Sequence, residues 1–246
     1  GTIDGDAGTY TWTIPDAVSS TVRVRIFDPA RPATTVTSSP FQIAAPSMTI
    51  TSPDTGSENW IIGTDHEITW YSVGEVVEPL KLYYTTDGST WTQIAGFDGV
   101  NDGSYTWTVP DAYAAGTARI RIDDSYATPR SDLSDRSFTI GLPVITVATP
   151  SELWSATDNK TITWATTGTI IGPLEAVWTL NDFAAVTMID NTIAAGATSV
   201  SWTIPEAAVG TTVRVRITDL GRPLVAGRSN DFTVLPVPAI TITSPD

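Results

Sequence analysis

The chain has 246 residues, more than one domain of the usual 100 to 150 or so, a mean hydropathy near zero, and 17 prolines and 18 glycines that punctuate it into short segments. Its net charge of −14, with Lys81 and Lys160 as the only lysines, argues against nucleic acid as a partner, because phosphate binding needs clustered cations. With no cysteine, neither disulfides nor thiolate metal sites can hold the fold, and no apolar stretch approaches the ~20 residues needed to cross a bilayer.

The first residues contain a segment that returns twice. Tyr10–Pro15 reads YTWTIP, Tyr105–Pro110 reads YTWTVP and Val200–Pro205 reads VSWTIP, so that Pro15, Pro110 and Pro205 stand 95 residues apart. A second strand follows each one: VRVRI at Val22–Ile26, ARIRI at Ala118–Ile122 and VRVRI at Val213–Ile217. A third motif opens each unit, as ITSPD at Ile50–Asp54, VATP at Val147–Pro150 and ITSPD at Ile242–Asp246. Repeats of this length identify a tandem array. The expected organisation is the second half of a unit over 1–46, complete units over 47–142 and 143–236, and the first strand of a further unit over 237–246. The stretch is thus read as clipped at both ends from a longer chain.

Within the middle unit, alternation of apolar and polar residues predicts seven strands: Thr49–Thr51, Glu67–Tyr71, Leu80–Thr85, Thr92–Ala95, Ser104–Val109, Ala118–Ile122 and Ser137–Ile140. Seven short strands without helical periodicity fit an all-β fold, a two-sheet immunoglobulin-like or fibronectin-III-like sandwich. The pleat sends Tyr105, Trp107 and Val109 to one face and the threonines to the other, which places Trp107 in the core. It likewise buries Ala118, Ile120 and Ile122 and turns Arg119 and Arg121 outward, as it does Arg23, Arg25, Arg214 and Arg216. In so acidic a chain these arginines are expected to pair with acids on the adjacent strand rather than to form a stripe for an anionic partner. Asp87-Gly88 predicts a hairpin turn, with Asn181-Asp182 in the matching place. The acid after each repeated proline, Asp16, Asp111 or Glu206, suits a turn or a short helical start.

The string ITSPD, Trp60, Gly63, ITW at 68–70, TTDGSTW at 85–91, DGSYTWTVP at 102–110 and ARIRI at 118–122 resembles the Ser-Thr-rich cell-surface repeat, an immunoglobulin-like domain of the Kre9/Knh1 type. The resemblance covers both complete units and the flanking pieces. It departs in the third unit, where Ala185 stands in place of Trp91. What it implies is a β-sandwich repeated in large secreted or cell-surface microbial proteins, with no catalytic or cofactor residues to carry over.

No nucleophile, phosphate-loop or metalloprotease motif occurs, and His66 is the only histidine, so the reading is of a protein that is not an enzyme, with no cofactor. Calcium is the one ion left open. Asp98, Asp102, Asp123 and Asp124, with Asn101 and the Asp4/Asp6 pair, have the oxygen chemistry it takes, and equally the chemistry of ordinary turns; none has EF-hand spacing. Asn159-Lys160-Thr161 is the single N-glycosylation sequon.

Two functions compete. The first is a structural or adhesive segment, extracellular or at the cell surface, whose proline-bearing junctions hold sandwiches in a semi-rigid line and whose edges and threonine faces associate with copies of the same protein, as in a filament. The second is a carbohydrate-binding module using Trp60, Trp91, Trp154 or Trp178 as stacking platforms for cell-surface glycans; Trp91, which is not repeated, is its ligand candidate.

Overall fold

The computed structural model describes residues 2–4, 8–15, 17–111 and 116–240. Four strands come first: β1 (Ser19–Val22), β2 (Arg25–Asp28), β3 (Arg31–Thr37) and β4 (Phe41–Ile43). β1 pairs with β4 and β2 with β3, all antiparallel, so that together they form one long, interrupted hairpin.

The middle unit follows with β5 (Ser47–Ser52), β6 (Asn59–Ile61), β7 (Asp65–Val73), β8 (Lys81–Thr85), β9 (Thr92–Gln93), β10 (Ser104–Thr108), β11 (Gly116–Asp123), β12 (Ser131–Leu133) and β13 (Phe138–Gly141). One sheet has the order β10-β7-β5. The other runs β6-β13-β11-β8-β9, with β12 continuing the β13 line along β11. All pairings are antiparallel except β6 on β13. The seven expected strands are all present, and the structure adds β6 and β12. Two three-residue strands are too short to show alternation, and the parallel partner of β6 lies about 80 residues away in sequence, so tertiary proximity creates them.

The third unit repeats the plan. It comprises β14 (Val144–Val147), β15 (Trp154–Ser155), β16 (Asn159–Thr167), β17 (Leu174–Thr179), β18 (Thr187–Ile193), β19 (Ser199–Thr203), a 3-10 turn at Glu206–Ala208, β20 (Gly210–Asp219), β21 (Ala226–Arg228) and β22 (Phe232–Leu235). Its sheets are β14-β16-β19 and β15-β22-β20-β17-β18. Two apolar layers facing one another across antiparallel sheets make each unit an immunoglobulin-like β-sandwich. The short helical start expected after the repeated proline is the turn at Glu206 in the third unit; Asp16 and residues 112–115, which follow Asp111, lie outside the described residues.

Both cores are built on the same aromatic cluster. Trp107 lies 5.9 Å from Trp60 and 5.5 Å from Tyr84, and Trp60 lies 4.6 Å from Phe138. In the third unit Trp202 lies 6.3 Å from Trp154 and 6.0 Å from Trp178, and Trp154 lies 5.3 Å from Phe232. Ile120 and Ile122, with Val215 and Ile217 one repeat later, are fully covered, as the pleat requires. At ~25 cal/mol per Å² of apolar area removed from water, buried tryptophans supply the largest single contributions to a core with no cross-links. Ile240 is the last described residue of the segment read as the next unit's first strand; the rest of it lies outside the described residues.

Candidate functional site

The outward side of the larger sheet carries the arginines. Arg121 lies with its guanidinium 4.5 Å from the Tyr83 ring and 4.7 Å from the Trp91 ring, and 3.0 Å from Asp123 on its own strand. Trp91 is half-buried beneath it, held by attraction between the cation and the ring face. The third unit uses a different aromatic for the same purpose: Arg216 and Arg228 flank Phe183, at 5.1 and 4.8 Å, while Ala185 takes the aligned place of Trp91.

Pairing with acids on adjacent strands holds for part of this set. Arg216 faces Glu175 of β17 at 3.9 Å, and Arg214 bonds Asp231 and Asp182. Arg119 instead gives its guanidinium to the Ser134 carbonyl, and Arg23 does the same to Ser38 at 3.0 Å. Ser134 lies in the break between β12 and β13 and Ser38 in that between β3 and β4, where the strand carbonyl is free of a ladder N–H and takes the arginine instead. The hydrogen bond from Arg214 to Asp231, with the charges of Asp231 and Asp182, raises the Arg214 pKa further above its ordinary value.

The aspartates singled out from the sequence do not converge, and among the described residues no three His, Asp or Glu side chains gather as metal ligands. Asp98 accepts Val100 N–H at 3.1 Å and Asp102 accepts Ser104 N–H at 3.3 Å, each closing its own turn. Asn101 accepts the Trp70 indole N–H at 2.9 Å and donates to Ser72 at 2.8 Å. Asp123 is turned to Arg121. Asp124 is buried and takes the Tyr126 and Arg130 N–H groups at 3.2 and 2.8 Å and the Arg130 guanidinium at 3.3 Å. Its counterpart Asp219 is likewise buried and accepts Ile171, Gly172 and Gly221 N–H groups at 3.2, 2.9 and 2.9 Å. Asp28, in the first hairpin, accepts Ala30 N–H at 2.8 Å from the same place in the motif. Sequence reasoning leaves Asp124 open between a calcium ligand and a turn residue; its recurrence at 28, 124 and 219 at the end of the arginine strand is the available sign of a structural role. Asp6 lies outside the described residues.

Of the four tryptophans proposed as sugar platforms, Trp60, Trp154 and Trp178 are each 5% exposed. This corrects that assignment: alternation along short strands places them on the inner face, where each meets another ring of the core cluster. Trp91 alone reaches the surface. His66 stacks on Trp60 at 4.7 Å, nearly parallel, with Nε2 2.8 Å from the Thr64 hydroxyl. Burial lowers its pKa, against a smaller opposing effect of Asp65.

A second surface is apolar. Trp12, Val24 and Ile26 are 42%, 42% and 53% exposed, whereas their counterparts one repeat later, Trp107, Ile120 and Ile122, are buried. In the complete units these positions face one another across the two sheets, Trp107 on β10 of one and Ile120 and Ile122 on β11 of the other; among the described residues no three-stranded sheet lies over the first hairpin. No helix of the described residues is long and apolar enough to cross a membrane.

No family model and no curated protein matches the chain. Among solved structures, immunoglobulin domains 1–5 of Sidekick-1 align with 78% of this chain at 10% identity and a TM-score of 0.28. The titin I-band fragment I67–I69 aligns with 84% of it and 71% of itself, at 13% identity and 0.29. The N-terminal four Ig domains of Dscam1 isoform 7.44 align with 84% of it and 52% of themselves, at 8% identity and 0.32. The chain spans 38% of the Sidekick-1 fragment's length. On its own strand order and buried faces, this protein is a row of immunoglobulin-like β-sandwiches: an initial hairpin followed by two complete units.

Proposed function

We propose that this chain is a structural or adhesive segment of a long extracellular or cell-surface protein, built from repeats of the Ser-Thr-rich cell-surface type over 1–46, 47–142, 143–236 and onward from 237. The observation that carries this reading is what the repetition preserves. Residues recurring at a spacing of 95, the core tryptophans, the buried aspartate and the strand arginines, are used inside each unit's own fold. What a unit offers outward is rich in threonine, serine and acid around its paired arginines, and the net charge of −14 keeps a long polymer soluble through self-repulsion. A repeated scaffold with a repeated inert surface sets length and spacing, and no catalytic role is assigned to it.

Association between copies through exposed strand edges would turn such segments into a fibre. The open edge strand β18 in the third unit spans seven residues, against two for β9 in the middle unit, so the third unit is the better placed for it. Electron microscopy of the native material tests the reading. Ordered filaments with an axial period near one repeat, roughly 40 Å for strands of this length with their loops, support it. Isolated flexible strings of beads remove the fibre and leave a tether.

A glycan-binding reading rests on Trp91 with Tyr83 and Arg121, one aromatic and cationic cluster on the outer face of the middle unit. Silence of the purified segment on a broad glycan array disposes of it.

A further inference from the structure

The contact between the middle and third units is made by backbone approaching backbone. Thr169 N–H, in the loop between β16 and β17, donates to the Ile62 carbonyl of the middle unit at 3.1 Å. Arg222, in the loop after β20, forms an ion pair with Asp111 of the middle unit and donates to the Thr169 carbonyl at 3.1 Å, so one guanidinium ties together both surfaces. Leu142, in the linker, packs against both cores, and Pro143 beside it is buried.

Two glycines at positive φ make this approach possible. A Cβ on Gly63 (φ +80°) would overlap the Thr169 hydroxyl and lie 2.7 Å from its backbone nitrogen. A Cβ on Gly168 (φ +84°) would overlap the Ile62 carbonyl and lie 2.8 Å from Ile61. The turn holding Gly63 recurs in the third unit, where Thr157 N–H donates to the Ile204 carbonyl just as Gly63 N–H donates to Val109. Thr157 occupies that turn at φ 69° with a full side chain. The same conformation is therefore kept at both ends, and the room for a neighbour at only one.

We propose that Gly63 and Gly168 form a repeat-docking code: they seat the third unit on the far end of the middle unit as a rigid pair, and Thr157 denies the far end of the third unit a neighbour seated in the same way. The joint between the middle and third units is then stiff and the one that follows the third unit open, a difference that a run of identical linkers would not give. The loop that docks is itself shaped by Asp219, whose carboxylate takes the Ile171 and Gly172 N–H groups on one side and Gly221 N–H on the other. This deepens the structural reading above and rests on it for its purpose, but not for its test.

The test uses the full 246-residue chain, which has no cysteine of its own, with Thr86→Cys in the middle unit and Thr203→Cys in the third, both exposed, spin-labelled for double electron–electron resonance. The background protein should give one narrow distance distribution. Gly63→Thr, which installs the residue found in the equivalent turn, should make it about twice as wide or more, because unrestrained domains move independently. Arg222→Gln, which touches no core, should broaden it in the same direction and serves if Gly63→Thr fails to fold, as circular dichroism would reveal. A background distribution already as wide as that of Gly63→Thr, or one left narrow by both substitutions, overturns the proposal. Neither result bears on whether the native polymer forms filaments, which microscopy decides separately.

Discussion

Ser134 and Ile120 exchange two hydrogen bonds: Ser134 N–H donates to the Ile120 carbonyl at 2.9 Å, and Ile120 N–H donates to the Ser134 hydroxyl at 3.2 Å. The pair recurs as Ser229 with Val215, at 2.9 and 3.0 Å, and as Ser38 with Val24, at 2.9 and 3.0 Å. A serine thus bridges the break between the two short strands that share one long partner, using its side chain where a ladder carbonyl is missing.

Ser134→Ala and Ser229→Ala should each destabilise the unit that contains them by about 1 to 3 kcal/mol, the cost of leaving a buried strand N–H without an acceptor. Urea unfolding followed by tryptophan fluorescence checks this; an unchanged midpoint in both variants contradicts the bridging role.

Asp219→Ala removes the acceptor of three N–H groups on two loops and should cost about 3 kcal/mol or more, with Asp219→Asn costing less because one carbonyl oxygen remains. Addition of calcium should leave the thermal midpoint of the wild type unchanged, since the N–H groups already occupy these carboxylate oxygens. A calcium-dependent rise in calorimetry would reverse the assignment.

Trp107→Ala should cost about 3 to 5 kcal/mol, as removal of a buried ring leaves a large cavity, whereas Trp91→Ala should cost about 1 kcal/mol, the loss of a half-exposed cation–ring contact. Equal losses in denaturant titration would mean that Trp91 has been placed wrongly.

His66 is harder to protonate in the folded protein than in the unfolded chain. Its neutral form therefore contributes fully above the unfolded value of 6.5, and the contribution is lost as pH falls through the lower folded value. The middle unit should lose stability as pH falls from 6.5 through that lower value, and His66→Phe, which keeps the stack on Trp60, should flatten the dependence in thermal melts.

Glu58 behaves oppositely in chemistry and alike in sign. Burial pushes its carboxyl up, but the backbone N–H groups of Thr55 and Asp54, at 2.8 and 2.9 Å, hold it down at about 2. Its contribution is complete above the unfolded value of 4.5 and disappears as pH falls through about 2. Glu58→Gln should cost about 1 kcal/mol at pH 7 after discounting for solvent screening, and nothing at pH 1.5.

The repeat, the strand faces and the buried Trp107 were legible in the sequence because each depends on local order: a two-residue pleat and a spacing of 95 are written along the chain. The Asp87-Gly88 turn belongs with them, with Gly88 at φ 74° and Asp87 taking Ser89 and Thr90 N–H groups at 2.8 and 2.7 Å. The candidate site was less legible. Alternation tells which way Arg121 points but not that Tyr83 on β8 and Trp91, just before β9, arrive beside it. Nor does it separate an aspartate that closes a turn from one that binds an ion, since the same residue types serve both purposes.

The sequence by itself determined the sandwich and its tandem repetition, because the hydrophobic pattern of each strand needs only its neighbours in the chain to decide which side is buried. Only the tertiary structure decided where the polar groups of one element meet those of another: Asp219 under two loops, Ser134 across the broken strand, Gly63 against Thr169. Those contacts depend on distances between segments far apart in sequence, and such distances follow from the packing of all the strands together.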